Sequence, residues 1–145
     1  MGTNVYLDPS DANAVALFTR NLNGPLVMLN LLRLREVADY SQHPELAPTS
    51  EISGREAYDK YVAHTLPFLE ASGGQLLYLG VGGNYFIGPE GEGWDLAMMV
   101  QQNSVQDFIA FASNEDYMKG IGHREAAVWD SRILPLETIQ SSAVD

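Results

Sequence analysis

The chain has 145 residues, 46% of them hydrophobic, no cysteine, and a formal net charge of −11 at pH 7. That size and apolar content fit a single domain, 1–145, with a core of its own. The absence of cysteine excludes disulfides, thiolate metal sites and a cysteine nucleophile, and an acidic chain without a basic stripe excludes nucleic acid as a partner. No apolar run approaches the ~20 residues of a membrane helix, and the start MGTNVYLDPSD lacks the basic and apolar stretches of a signal peptide. The expectation is a cytoplasmic protein that contacts no membrane.

Asp8-Pro9 reads as a helix cap followed by proline in the first turn. Ala14, Val15, Phe18 and Leu22 follow at helical spacing, which predicts an extra helix over about 9–21. Gly24-Pro25 then opens the apolar run Leu26-Val27-Met28-Leu29-Asn30-Leu31-Leu32. Proline cannot continue a helix, so the run is a strand with leucines, valine and methionine on both faces and one amide, Asn30, in its middle. The mixed stretch 35–52, with Pro44 and Pro48, has no period and reads as a long loop or flap.

Ser53 and Glu56 form a capping box and start a helix whose apolar arc runs through Tyr58, Tyr61, Val62 and Leu69 to Gly73-Gly74. Tyr58, Val62 and Leu69, with Phe108 of the later helix, are the expected packing against the sheet. Gln75 to Val81 is a second strand, Gly82-Gly83-Asn84 a turn, Tyr85 to Gly88 a short extension of that edge, and Trp94 to Gln101 a third strand. Ser104 with Asp107 caps a second core helix, and Ser113 to Asp116 restarts a turn. Gly120 and Gly122 loosen the next segment, 123–129 is a further helical turn, Ser131 to Glu137 is the last strand, and the polar tail from Thr138 is frayed.

The order strand, helix, strand, strand, helix, strand is the ferredoxin-like βαββαβ arrangement, an α+β fold with a four-stranded antiparallel sheet. One face of such a sheet normally meets water. Here Ala97 and Met99 oppose Leu96 and Met98, and Leu76 and Tyr78 oppose Leu77 and Leu79, so both faces are apolar and a second copy is expected to cover the outer one. Pro25-Leu-Val-Met-Leu-Asn30-Leu-Leu, Ser53-Gly-Arg-Glu-Ala-Tyr58, Gly73-Gly74, Trp94-Asp95, Asp116-Tyr117 and His123-Arg124 followed by Asp130-Ser131-Arg132 resemble the domain of unknown function 1330 family, of the dimeric α/β-barrel superfamily. The resemblance covers roughly 24–136. It implies a homodimer closed sheet to sheet and a pocket between sheet and helices. That superfamily includes cofactor-free monooxygenases, haem-degrading enzymes, haem peroxidases, and isomerases or decarboxylases of small ring compounds.

The candidate pocket residues are Asn30, Tyr61, His64, Trp94, His123 and Arg124. Asn30 is an amide among leucines that must find a partner, either a ligand or a structural one. His64 lies at the edge of the helical arc near Tyr61 and Phe68 and is either a proton shuttle or a rim histidine with a structural bond. Trp94 reads as a ligand wall or as packing, and Arg124, beside His123, as a carboxylate clamp or a salt-bridge partner. His43, His64 and His123 are too scattered for a metal site. No cofactor is called for: an asparagine, tryptophan and histidine resemble the set of haem-degrading relatives, but His123 comes too late in the chain for that role. The functional expectation is a small-molecule-binding homodimer. Either it is a cofactor-free enzyme, monooxygenase-, isomerase- or decarboxylase-like, acting on a small, partly apolar substrate, or it is a non-catalytic binding or structural dimer.

Overall fold

The computed structural model describes residues 4–139; the tail from 140 onward, for which the sequence predicts fraying, lies outside the described residues. Helix α1 (Asp11–Thr19) precedes strand β1 (Leu26–Leu34), helix α2 (Gly54–Ala71) and the hairpin β2 (Gln75–Asn84) and β3 (Gly93–Gln102). Three short helices, α3 (Val105–Ala112), α4 (Glu115–Met118) and α5 (Ile121–Ala127), lead into β4 (Val128–Glu137). The strands form one sheet in the order β2-β3-β1-β4, every pair antiparallel, which is the ferredoxin-like topology. No helix among the described residues is long and apolar enough to cross a membrane.

The register sorts β1 as its alternation requires. Leu26, Met28, Asn30 and Leu32 lie opposite Gln102, Val100, Met98 and Leu96 and face the helices. There Leu32, Tyr58, Tyr61, Leu96, Met98, Tyr117 and Val128 make the main core, and Leu26, Met28 and Val105 a second cluster. Tyr58 and Leu69 are buried as expected, while Val62 and Phe108 are only half-buried at the edges of these clusters. On the other face, Leu29 pairs with Met99 and Leu134, Leu31 with Ala97, and Tyr78 with Met99. Among the described residues nothing covers that face: Tyr78 is 59% and Leu134 55% exposed.

Several elements differ from the sequence reading. Ser10, not Asp8, caps α1, its hydroxyl accepting from the Asn13 amide. Leu17 and Leu22 are the residues of this region that pack on the core, while Val15 and Phe18 stay in water. Strand β2 runs on through Gly82-Gly83-Asn84 because Gly83 and Asn84 pair with Trp94 and Gly93, and ladder bonds outweigh local turn chemistry. Tyr85 to Gly88 is not strand. Trp129 belongs to β4 rather than to a helical turn, because Leu34 pairs with Val128 and Arg33 with Asp130.

Gly120 and Gly122 mark close packing, not looseness: a Cβ at Gly120 would strike the His64 ring, and one at Gly122 would meet His43 and Leu46 at 2.7 Å. The stretch 35–52 is likewise tied down. Arg35 and Asp39 donate backbone bonds to Ala127 and Ala126, Ala38 donates to Ile52, and Val37 bridges Ser53.

Candidate functional site

The capping box of α2 is made as the sequence predicts, with Ser53 accepting from the Glu56 amide and Glu56 from the Ser53 amide. That fixes the helix over the sheet and carries Tyr58, Tyr61 and His64 into the space beside α4 and α5. The Tyr61 and Tyr117 hydroxyls are 2.7 Å apart, and Tyr58 donates to the Met98 sulfur at 3.8 Å. Burial pushes the Tyr58 and Tyr117 phenols up, Tyr61 adds to this, and only Arg124 opposes it, so both stay neutral. Arg124 reaches Leu7 O at 3.4 Å and Ser131 Oγ at 3.3 Å, and it makes no ion pair among the described residues. Asn30, buried on the same sheet face, donates from Nδ2 to Met28 O of its own strand at 3.1 Å.

The histidines serve the layer outside that core. His64 Nε2 lies 2.9 Å from Asp116 O, and its ring packs at a tilt against Phe68, centroids 5.2 Å apart. Tyr40 places its hydroxyl 2.7 Å from His123 Nδ1. Burial, with Lys60 and His64 nearby, holds the His123 imidazole below its ordinary value, which favours the neutral ring in this hydrogen bond. His43 Nε2 is 2.5 Å from Glu125 Oε2, and that bond raises its pKa. Tyr40 also lines a cavity of about 290 Å³ inside the turn of 37–52.

A larger cavity, about 360 Å³, opens at the end of the sheet where β1 stops and β3 and β4 begin. It is lined by Arg33, Trp94, Asp95 and Trp129, together with Gly83, Asn84 and residues 91–93 at the base of the β2–β3 hairpin. The Arg33 guanidinium lies 3.9 Å from the centroid of Trp94 and 5.8 Å from that of Trp129, within cation–π range. Nε donates to Gly93 O at 2.8 Å and Nη1 to Asp130 Oδ2 at 2.7 Å. Asp130 is fully buried and also accepts from Arg132 and from the Tyr6 amide. Burial alone would raise its pKa, but the Tyr6 amide, Arg132 and Arg33 outweigh that and hold the carboxyl below its ordinary value.

Of the six sequence candidates, Tyr61, His64, His123 and Arg124 gather between α2 and the α4–α5 segment, Asn30 lies on the sheet beneath, and Trp94 stands apart in the sheet-end cavity.

The RPA0582 protein of Rhodopseudomonas palustris, of unknown function, is 33% identical to this chain, covers 95% of it over its own full length, and superposes with a TM-score of 0.80. This chain belongs to the family of that protein. The methylated form of RPA0582 gives the same identity and TM-score over 97% of this chain and 99% of its own. A dimeric ferredoxin-like protein of unknown function from Thermobifida fusca is 13% identical, covering 80% of this chain and 92% of its own, with a TM-score of 0.47. No family model matches the chain, and no curated protein does.

In this RPA0582-family chain the residues that sequence reasoning passed over as site candidates are Arg33, Asp95, Trp129 and Asp130. A signal existed: two Trp-Asp dipeptides, Trp94-Asp95 and Trp129-Asp130, each stand near the start of a strand. That both meet the end of β1 follows from the strand order alone.

Proposed function

We propose that this protein works as a homodimer that binds a small, partly apolar molecule, without a cofactor, in the cavity at the sheet end. What supports the dimer is the open sheet face, where Leu29, Leu31, Met99, Tyr78 and Leu134 lie together; a contiguous apolar face of that kind marks an interface. The binding reading is carried by one observation. A cavity of about 360 Å³, within the size range of small-molecule sites, gathers a guanidinium, two carboxylates and two indoles.

Trp94 and Trp129 are the only tryptophans in the chain, and both line this cavity, so intrinsic fluorescence reports its occupancy directly. Titration with a panel of small aromatic and aliphatic acids, amines and amino acids is expected to give at least one saturable emission change that Arg33→Gln removes. A flat response to every class would overturn the reading.

A second reading places an anionic ligand between sheet and helices, on Arg124 with Asn30, Tyr61 and the neighbouring His64 and His123. The observation favouring it is that Arg124, half-buried beside tyrosine hydroxyls, has no acid against it among the described residues. An enzymatic form of this second reading would draw its acid–base pair from Tyr40 and His123. Arg124→Gln separates the sites: it would abolish a ligand-induced thermal shift while leaving the tryptophan response intact.

A further inference from the structure

The sheet-end cavity holds opposite charges that the protein satisfies only in part. Arg33 spends Nε on Gly93 O and Nη1 on Asp130, but Nη2 bonds to no group among the described residues and is not buried. Its charge is not cancelled either, because the buried Asp130 carboxylate is shared with Arg132 at 2.7 Å. Asp95 is exposed and accepts the Leu34 amide on Oδ2 at 2.7 Å, while Oδ1 has no partner among the described residues. The register that pairs Leu32 with Leu96, carried on by one residue, sets Asp95 opposite Arg33. Yet the two side chains do not approach to within the 4.0 Å of an ion pair. Trp129, 36% exposed, supplies an indole beside them.

Resting on the reading of this cavity as a ligand site, we infer that its ligand is a free α-amino acid with an aromatic or branched apolar side chain. The carboxylate is received by Nη2 of Arg33, the ammonium by Oδ1 of Asp95, and the side chain by Trp129. A simple carboxylate would meet Arg33 but be repelled by Asp95 and by Glu92, which also lines the cavity. A simple amine would meet the acids but leave the guanidinium unsatisfied. A zwitterion that carries both charged groups on one carbon offers a partner to each, and planar guanidinium recognition of a carboxylate is the strong form of that contact.

The test uses tryptophan emission and calorimetry on the purified protein with L-phenylalanine, L-leucine, phenethylamine and 3-phenylpropanoate. At least one of the two amino acids is expected to bind saturably, and phenethylamine and 3-phenylpropanoate roughly tenfold or more weaker, the loss expected when a charged hydrogen bond is removed. Asp95→Asn keeps an acceptor for the Leu34 amide, so it is expected to fold normally and to erase the preference for phenylalanine over 3-phenylpropanoate. If the acid or the amine binds the wild type as tightly as the amino acids, the zwitterion inference fails while the cavity remains a ligand site. If neither amino acid moves the emission but another class in the wider panel does, the inference fails in the same way. If nothing does, both readings fall together.

Discussion

Met98 and Met99 are adjacent in β3 and point to opposite faces of the sheet, so the same substitution at each tests a different part of the structure. Met98 is 8% exposed and packs with Leu32, Tyr58 and Leu96, its sulfur taking the Tyr58 hydroxyl. Met98→Lys removes a core side chain, at roughly 2–5 kcal/mol, and adds an ammonium that no acid can reach or that must give up its proton. A loss of about 4 kcal/mol or more is expected against a total of roughly 5–15, a fall in melting temperature on the order of 10 °C or beyond.

Met99 pairs with Leu29 and Tyr78 on the open face and is already half-exposed in the single chain. A lysine there can lay its stem along the sheet and keep its head in water, so the monomer loses little. In the dimer each copy would bury an unpaired ammonium, and the twofold axis doubles the cost. Light scattering with far-UV circular dichroism is the assay: Met99→Lys should give a folded monomer where wild type gives a dimer, and Met98→Lys an unfolded or strongly destabilised chain. A Met99→Lys dimer with wild-type mass and melting point would refute the assignment of the interface, and a stable Met98→Lys would refute the sheet's orientation.

Asn30→Leu is expected to be neutral or stabilising in thermal unfolding. The amide's one side-chain bond goes to Met28 O on its own strand, worth about 1 kcal/mol, while a buried leucine gains roughly 1.5–3 kcal/mol; a drop of more than about 1 kcal/mol would contradict this. Asp130→Ala should cost about 3 kcal/mol in urea unfolding, because it strands Arg33, whose side chain is 13% exposed. Asp130→Asn should cost less, since its amide oxygen still accepts from Tyr6. Because the folded pKa of Asp130 is lowered, its contribution is full above the unfolded value near 3.9 and is lost as pH falls through the lower folded value; equal acid sensitivity in Asp130→Asn would count against it. His43 runs the other way: its pKa is raised first by the Glu125 bond, with Glu45 also facing it. The tie between 36–52 and α5 is therefore full below about pH 6.5 and weakens as pH rises through the folded value. Hydrogen exchange of that stretch, corrected for intrinsic rate, should quicken over this range in wild type but not in His43→Gln.

The elements that the sequence determined unaided are those whose cause is local. The capping box at Ser53 and Glu56, the Gly-Pro start of β1 and the alternation of apolar residues in β1 and β3 depend on neighbours within a few positions, and the element order carried the ferredoxin-like fold. The apolar character of both faces of β1 was legible too, and with it the expectation of a second copy. Where a residue's fate depends on a partner far along the chain, the local signal pointed elsewhere. Gly82-Gly83-Asn84 has the composition of a turn but pairs with Gly93 and Trp94. Gly120 looks permissive yet is small because His64 lies against it. The sheet-end cavity is the clearest case. Arg33, Asp95, Trp129 and Asp130 are separated by up to 97 positions, and only the antiparallel register of three strands brings them to one end of the sheet, because pairing fixes which strand ends meet while the sequence of each strand specifies only its own faces.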